Sequence, residues 1–303
     1  MLAETMTKVL GFLITLVGLS TSLGIAQTTD PALGLVSEIQ KNYSETKWSD
    51  TLYKESPWKI YSEKTAQGRP LIYFVCGEGN KNTTLLLSSV HGDEVTPVYF
   101  GLRLVSWVKG EPDLCRDNKI IIVPIVNPDG ALADKPTRMN SHGVDLNRNF
   151  KTADFEEKAV KLWKGQFKSD PRRFPGEVAD SEVETRFQKW LITEYKPQKI
   201  LSVHSPLGFF DYDGPEDAVA GAFQKEYLDS CKKLKIAVKQ ASGTYNFIKF
   251  GYFTGSLGNY AGKERGIPTL TLELPSTDAG KAKMYFEMLK KGTRALITHQ
   301  MKD

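Results

Sequence analysis

Apolar positions along this chain follow two periods in turn. Short runs rich in Ile, Leu and Val predict strands at Trp58–Glu63, Leu71–Cys76, Thr84–Val90, Ile120–Ile125, Ile200–Val203 and Thr269–Leu274. Several of these runs are continuously apolar, as in strands covered on both faces. Between them, Val95, Val98, Leu102, Val105 and Val108 recur at helical spacing, and Gly110 stops that helix. Ser181-Glu182-Val183-Glu184 reads as a capping box, opening a helix with Val183, Phe187, Trp190 and Leu191 inward. Leu33–Tyr43, Ala218–Leu234 and Ala282–Met301 read as further helices. The aperiodic stretch Asn149–Glu177 reads as a long functional loop at the rim of a site. Helices alternating with buried strands predict a three-layer α/β/α sandwich around a mixed, mostly buried central sheet.

Composition narrows the picture. The chain has 303 residues, 40% hydrophobic and 25% charged, which suits one soluble globular domain. The expected organisation is a signal peptide over 1–26, a lead-in over 27–54 too short for a folded pro-domain, and one catalytic domain over 55–300. Lys8 precedes the apolar run Val9–Leu19, and Gly24-Ile25-Ala26 offers a cleavage site. That run is shorter than the ~20 residues of a membrane span. Export to the periplasm or beyond is therefore expected, with no stable span after cleavage; an uncleaved anchor is the alternative. The net charge of +4 suits an acidic polymer or anionic peptides and is too weak to imply nucleic acid. Of three cysteines, Cys231 shares a helical face with Phe223, Leu228 and Leu234 and reads as a buried filler. Cys76 and Cys115 either pair in an oxidising compartment or stay reduced.

Four short words carry candidate chemistry: His91-Gly92-Asp93-Glu94, the run Gly143–Phe150, His204-Ser205, and Glu273 within Thr269–Glu273. His91 and His204, two of only four histidines, each follow a buried strand, where sheets build their sites. A turn at Gly92 lets His91 and Glu94 converge on one ion, and His204 completes a His/Glu/His set for catalytic zinc. Each word alone also fits a structural residue; a first-turn Glu, for instance, complements a helix dipole. Asp145 is placed to accept the outer N–H of a ligand histidine.

Together with Asn127-Pro128-Asp129-Gly130, these words match in order and spacing those of the zinc metallocarboxypeptidases, the carboxypeptidase A/B superfamily, which the chain resembles over roughly residues 55 to 295. The resemblance implies one zinc per chain held by His91, Glu94 and His204, with Asp145 behind the first histidine. It implies Glu273 as general base and Arg138 as the group that polarises the scissile carbonyl. Asn147 and Arg148 match the pair that grips a substrate carboxylate, and Tyr252 is the candidate for a closing tyrosine, although it stands slightly nearer Thr254-Gly255-Ser256 than the family pattern places it. Elementary chemistry agrees. A carboxylate near zinc-activated water can take and return a proton, Arg138 can meet developing negative charge, and the Arg148 fork suits a carboxylate. The family also implies a cis Ser205–Pro206 peptide.

Gly176-Glu177 with Ser181–Thr185, and the ending Gly251–Tyr260 followed by Glu273-Leu274-Pro275, resemble the bacterial murein peptide amidase branch. That branch implies cleavage of peptidoglycan stem peptides at the γ-D-glutamyl–diaminopimelate bond. A signal segment departs from its cytoplasmic recycling members and is closer to exported DL-carboxypeptidases. Some of those replace a ligand histidine by glutamine, whereas this chain keeps His91 and His204. Asp211 or Asp213 is a candidate partner for the diaminopimelate ammonium, but Asp211–Pro215 reads more readily as a solvated turn. Two other readings stand beside this one: a secreted carboxypeptidase that removes ordinary C-terminal L-residues, and a non-catalytic peptide-binding module on the same fold.

Overall fold

The computed structural model describes residues 30–44, 48, 57–79, 82–215 and 223–302. The expected signal segment lies outside the described residues, as do positions 27–29, 45–47 and 49–54 of the lead-in. Seven strands, β1 (Lys59–Lys64), β2 (Pro70–Cys76), β3 (Thr83–Ser88), β4 (Lys119–Val123), β5 (Lys199–His204), β6 (Phe210–Asp213) and β7 (Thr269–Glu273), form one sheet in the order β1-β2-β4-β3-β5-β7-β6. The inner strands β4, β3, β5 and β7 run parallel, while β1, β2 and β6 are antiparallel to their neighbours. Eight α-helices accompany it among the described residues: α1 (Pro31–Asn42), α2 (Val95–Lys109), α3 (Pro112–Asp117), α4 (Pro128–Ala131), α5 (Phe155–Gly165), α6 (Val183–Tyr195), α7 (Lys225–Ala241) and α8 (Ala282–Thr298).

The period-2 alternation of strands divides the core in two. Leu86, Ile120, Ile122, Leu201, Val203, Leu270 and Leu272 face α1, α2, α7 and α8. Leu85, Leu87, Ile121, Val123 and Ile200 face the opposite way, toward Phe187 and Leu191 of α6. At β5 and β7 this second face turns polar toward the C-terminal ends, with Ser202 and His204 beside Thr271 and Glu273. Because β3 pairs with both β4 and β5, consecutive crossovers leave it in opposite directions, which opens a crevice at its C-terminal end.

The three-layer expectation matches the structure, and all six expected strands are present. Four local expectations change. Asp211–Pro215 is not a solvated turn: Phe210–Asp213 is a strand, with Phe210 and Tyr212 buried in the core and the aspartates half-buried on the other face. The long loop contains α5, which buries only Phe155 and Ala159 and so carries a weak apolar signal. The helix expected at 218–234 runs over Lys225–Ala241, with 216–222 outside the described residues. The capping box is absent: Glu182 is the N-cap of α6 without a side-chain cap bond, and the Ser181 hydroxyl donates to Glu182 Oε1 at 2.6 Å. Cys76 and Cys115 are disulfide-bonded, Cys231 is buried, and Ser205–Pro206 is cis.

Candidate metal centre

The site forms where β3, β5 and β7 end side by side. β3 delivers the chain to His91, and Glu94 is the N-cap residue of α2. Gly92 sits so close to the Gly130 backbone that a Cβ there would lie 2.2 Å from Gly130 C; only glycine fits this crossing. The Asn127-Pro128-Asp129-Gly130 word forms the turn that packs against Gly92: Asn127 Oδ1 accepts from Gly130 N at 2.9 Å. His204 is the last residue of β5 and stands directly opposite Glu273 of β7.

Ligand atoms of His91, Glu94 and His204 all lie within 4.8 Å of one another, and all three residues are buried. The Nδ1 atoms of both histidines face the same carboxylate, His91 at 2.6 Å from Oε1 and His204 at 3.1 Å from Oε2. Each outer nitrogen is held separately: His91 Nε2 lies 3.2 Å from Asp145 Oδ1, and His204 Nε2 lies 3.0 Å from Ser202 Oγ. Two imidazoles and one carboxylate, fixed by outer partners, are the donor set of a catalytic zinc site. Ser202 was not singled out from the sequence; the period-2 relation to His204 was its available signal.

Electrostatics agree with a cation site. Burial by itself would raise the pKa of Glu94, but His91 and His204 hold it well below the usual range. Burial is likewise overcome at Asp145, where Arg138 and His91 keep the carboxylate ionised. Glu273 behaves differently: burial raises its pKa, and its Oε2 is buried with no hydrogen-bond partner among the described residues. A carboxylate oxygen with no protein donor at the edge of the cavity is suited to hold a proton.

Arg138 leans over the centre. Its Nε donates to Asp145 Oδ2 at 3.0 Å and to the Arg172 carbonyl at 3.1 Å, and its Nη1 lies 3.6 Å from Glu94 Oε1. Arg172 also pairs with Asp93 at 2.7 Å, a brace that no spacing in the sequence indicates. Asn147 Oδ1 accepts from Leu257 N at 2.9 Å. Arg148 is buried with its guanidinium 4.4 Å above the Phe253 ring, and burial lowers its pKa to about 10. His91, Arg138, Asn147, Arg148 and Glu273 all line one cavity of about 290 Å³.

Tyr252 departs from its expected place. It lines a neighbouring cavity, and its hydroxyl donates to the Gly214 carbonyl at 3.2 Å. Phe250 and Phe253 line the metal-site cavity from either side of Tyr252 in sequence, and Phe253 borders both cavities.

Comparison with known proteins settles the family. The zinc carboxypeptidase family model matches residues 45–291. The chain belongs to the zinc carboxypeptidase family. It is a hydrolase of that zinc-dependent family, with a His/Glu/His set where the family's chemistry needs one.

Murein peptide amidase A of Escherichia coli (strain K12) is 30% identical over 229 residues, spanning 73% of this chain and 84% of the relative. Its counterpart in Vibrio campbellii is 28% identical, over 71% of this chain and 79% of the relative. Among solved structures, the murein-tripeptide amidase MpaA of Escherichia coli O157 superposes with a TM-score of 0.59 at 24% identity, covering 84% of this chain and 97% of that one. Bovine thrombin-activatable fibrinolysis inhibitor, in complex with tick carboxypeptidase inhibitor, gives 0.62 at 17% identity, over 88% and 96%. These two likenesses define the fold.

Proposed function

We propose that this carboxypeptidase is an exported peptidase with one zinc per chain that cuts peptidoglycan stem peptides at the γ-D-glutamyl–diaminopimelate bond. The observation that carries this reading is the similarity to murein peptide amidases over most of their length, together with the intact His91/Glu94/His204 set. The Cys76–Cys115 disulfide supports export, because such bonds persist in oxidising compartments.

His91 Nδ1, His204 Nδ1 and a Glu94 oxygen would hold the zinc, which supplies Lewis acidity toward water and the scissile carbonyl. Glu273 Oε2, in its ionised form, takes a proton from the attacking water and passes it to the leaving amine. Arg138 Nη1 faces the same space and stabilises negative charge as it develops on the carbonyl oxygen. Arg148, with Asn147 beside it, fixes the free carboxylate of the released residue; its planar fork matches that group. Stacking on Phe253 keeps the fork in one orientation.

The test is mass spectrometry of stem tri-, tetra- and pentapeptides after incubation with the zinc-loaded protein. Release of diaminopimelate from the tripeptide is the expected result. Hydrolysis confined to blocked dipeptides of ordinary L-residues would replace this reading with that of a general carboxypeptidase. No hydrolysis of either class would leave the chain a binding module.

A further inference from the structure

Arg138, Asp145, Asn147 and Arg148 all lie on the connection between α4 and α5, whose one regular element is the 3-10 turn Leu146–Arg148. No α-helical or sheet ladder therefore fixes these groups, and their placement falls to other hydrogen bonds. Arg148 donates to the Asn147 carbonyl at 2.6 Å and stacks on Phe253, which orients its fork locally. Something else must set the loop against the rest of the molecule.

The loop tip, Asn140-Ser141-His142, sits on three buried acids, Asp129, Glu182 and Glu184. Asn140 Oδ1 closes the turn, accepting from His142 N at 3.1 Å and Val144 N at 3.2 Å. That leaves Nδ2 to donate to Glu182 Oε2 at 2.7 Å and to Glu184 Oε2 at 3.2 Å. Ser141 Oγ donates to Asp129 Oδ2 at 3.1 Å, and His142 Nδ1 lies 2.7 Å from Glu182 Oε2. The far end of the loop is latched to the same motif: Asn149 Oδ1 accepts from Glu182 N at 3.2 Å, and its Nδ2 donates to Ser181 Oγ at 3.0 Å. Two asparagines thus clip the loop to Ser181–Glu184, with Asp145, Asn147 and Arg148 between them and Arg138 just before. The motif that does not cap α6 is used here instead. Asp129 is matched by Arg69 at 3.0 Å, whereas burial, with Asp129 and Glu182 nearby, raises the Glu184 pKa to about 7.

We propose that Glu182 and Glu184 are positioning residues of the active centre, acting through Asn140 to set how the loop presents Arg138, Asn147 and Arg148 to the substrate. The inference rests on the carboxylate-gripping role given above to Asn147 and Arg148, and it names what holds them. Small displacements matter in such a site: a misplacement of about 1 Å costs on the order of 100-fold in rate. Without the clip the Asn140 amide and two buried carboxyl groups would lose partners together, so the loop has one favoured seat.

The experiment uses two γ-D-glutamyl-diaminopimelate peptides in which the carboxylate beside the cleaved amide is either free or converted to a primary amide. Two blocked L-dipeptides with the same difference cover the rival substrate class. The readout is the ratio of kcat/KM, acid over amide, which cancels any general loss of activity or of folded protein. The native ratio is expected to be about 30-fold, the scale of one charged hydrogen bond. It should fall about five-fold in Asn140→Ala and in Glu184→Ala, the scale of one lost neutral hydrogen bond. Asn140 lies on a loop, so its variant reads the clip even where Glu184→Ala fails to fold. At about pH 6, where Glu184 holds its proton, Glu184→Gln supplies a neutral acceptor of equal size and should keep the native ratio. The Cys76→Ser/Cys115→Ser protein, destabilised far from the loop, should keep it too. The inference is overturned by a native ratio near one, by a ratio unmoved in both alanine variants, or by an equal fall in Glu184→Gln or the cysteine variant. Calorimetric binding of the same peptides to the Glu273→Gln protein, with and without Asn140→Ala, gives the ratio without turnover. Discrimination that falls there, with no hydrolysis by the native protein, upholds the clip and overturns the peptidase reading.

Discussion

Asp145 holds Arg138 by Nε and Nη2, both 3.0 Å from Oδ2, while its other oxygen faces the Nε2 of His91. One buried carboxylate therefore orients a metal ligand and the carbonyl-facing arginine together. Replacing it by Asn removes the charge that both partners share. Asp145→Asn is expected to weaken zinc binding about 10- to 100-fold, measured by competition with a chelator. A loss of activity with undiminished zinc affinity would confine Asp145 to Arg138.

Glu273→Gln separates chemistry from metal binding. The residue contributes no atom to the His/Glu/His set, so zinc content should match the native protein. Loss of general-base action lowers kcat by roughly 10²–10⁴-fold. Metal analysis and turnover on one sample decide the matter. In the native protein, burial raises the Glu273 pKa, so the acid limb of kcat/KM should lie above the range of a free glutamate, with activity rising as the pH passes through it.

Much of this site is legible in the sequence, and the reasons are local. Ile120–Val123 and Leu85–Leu87 announce buried strands because every position is apolar. His91, Glu94 and His204 are legible because strand ends and a glycine turn fix where they project. Asp211–Pro215 reads as a turn because its two acids and Gly214-Pro215 outweigh the four-residue alternation of the strand Phe210–Asp213, whose aromatics alone reach the core. Ser181 fails as a cap because Asn149 donates to its hydroxyl at 3.0 Å, and Asn149 is 32 positions away. Tyr252 lies outside the metal-site cavity, its hydroxyl on the Gly214 carbonyl, a placement that a spacing rule counts toward but does not orient.

Glu184 of α6 offers a stability measurement away from the centre. It is buried, Oε2 accepts from Asn140 Nδ2 at 3.2 Å, and Oε1 has no partner among the described residues. Burial, with Asp129 and Glu182 nearby, raises its pKa from 4.5 to about 7. Between those values the folded protein keeps a proton that the unfolded chain has released. Its stability contribution is thus full below pH 4.5, falls as pH rises, and is lost above about 7. Glu184→Gln removes this dependence. The variant should gain on the native protein through that window, by an amount on the order of 3 kcal/mol at pH 8. Parallel melting curves at pH 4.5 and pH 8 with an equal gap would contradict the assignment.

The Cys76–Cys115 bridge closes a segment with a sequence separation of 39 and ties the end of β2 to α3. Loop-closure entropy assigns it about 4 kcal/mol. Cys76→Ser combined with Cys115→Ser should lower the denaturant midpoint with little change in the specific activity of the folded fraction. The bridge lies at the opposite end of β4 from the metal centre, so catalysis falling in step with stability would indicate a coupling that the fold does not provide.

The pairing of His204 with Glu273 across β5 and β7 has a final consequence for evolution of the chain. Side chains on a strand change sides with every residue, so inserting or deleting a single position upstream in either strand would turn its functional group into the aliphatic layer under α7 and α8. Point substitutions keep each side chain on its own face of the sheet; length changes there do not. Insertions that survive in relatives should therefore gather in the connections between strands.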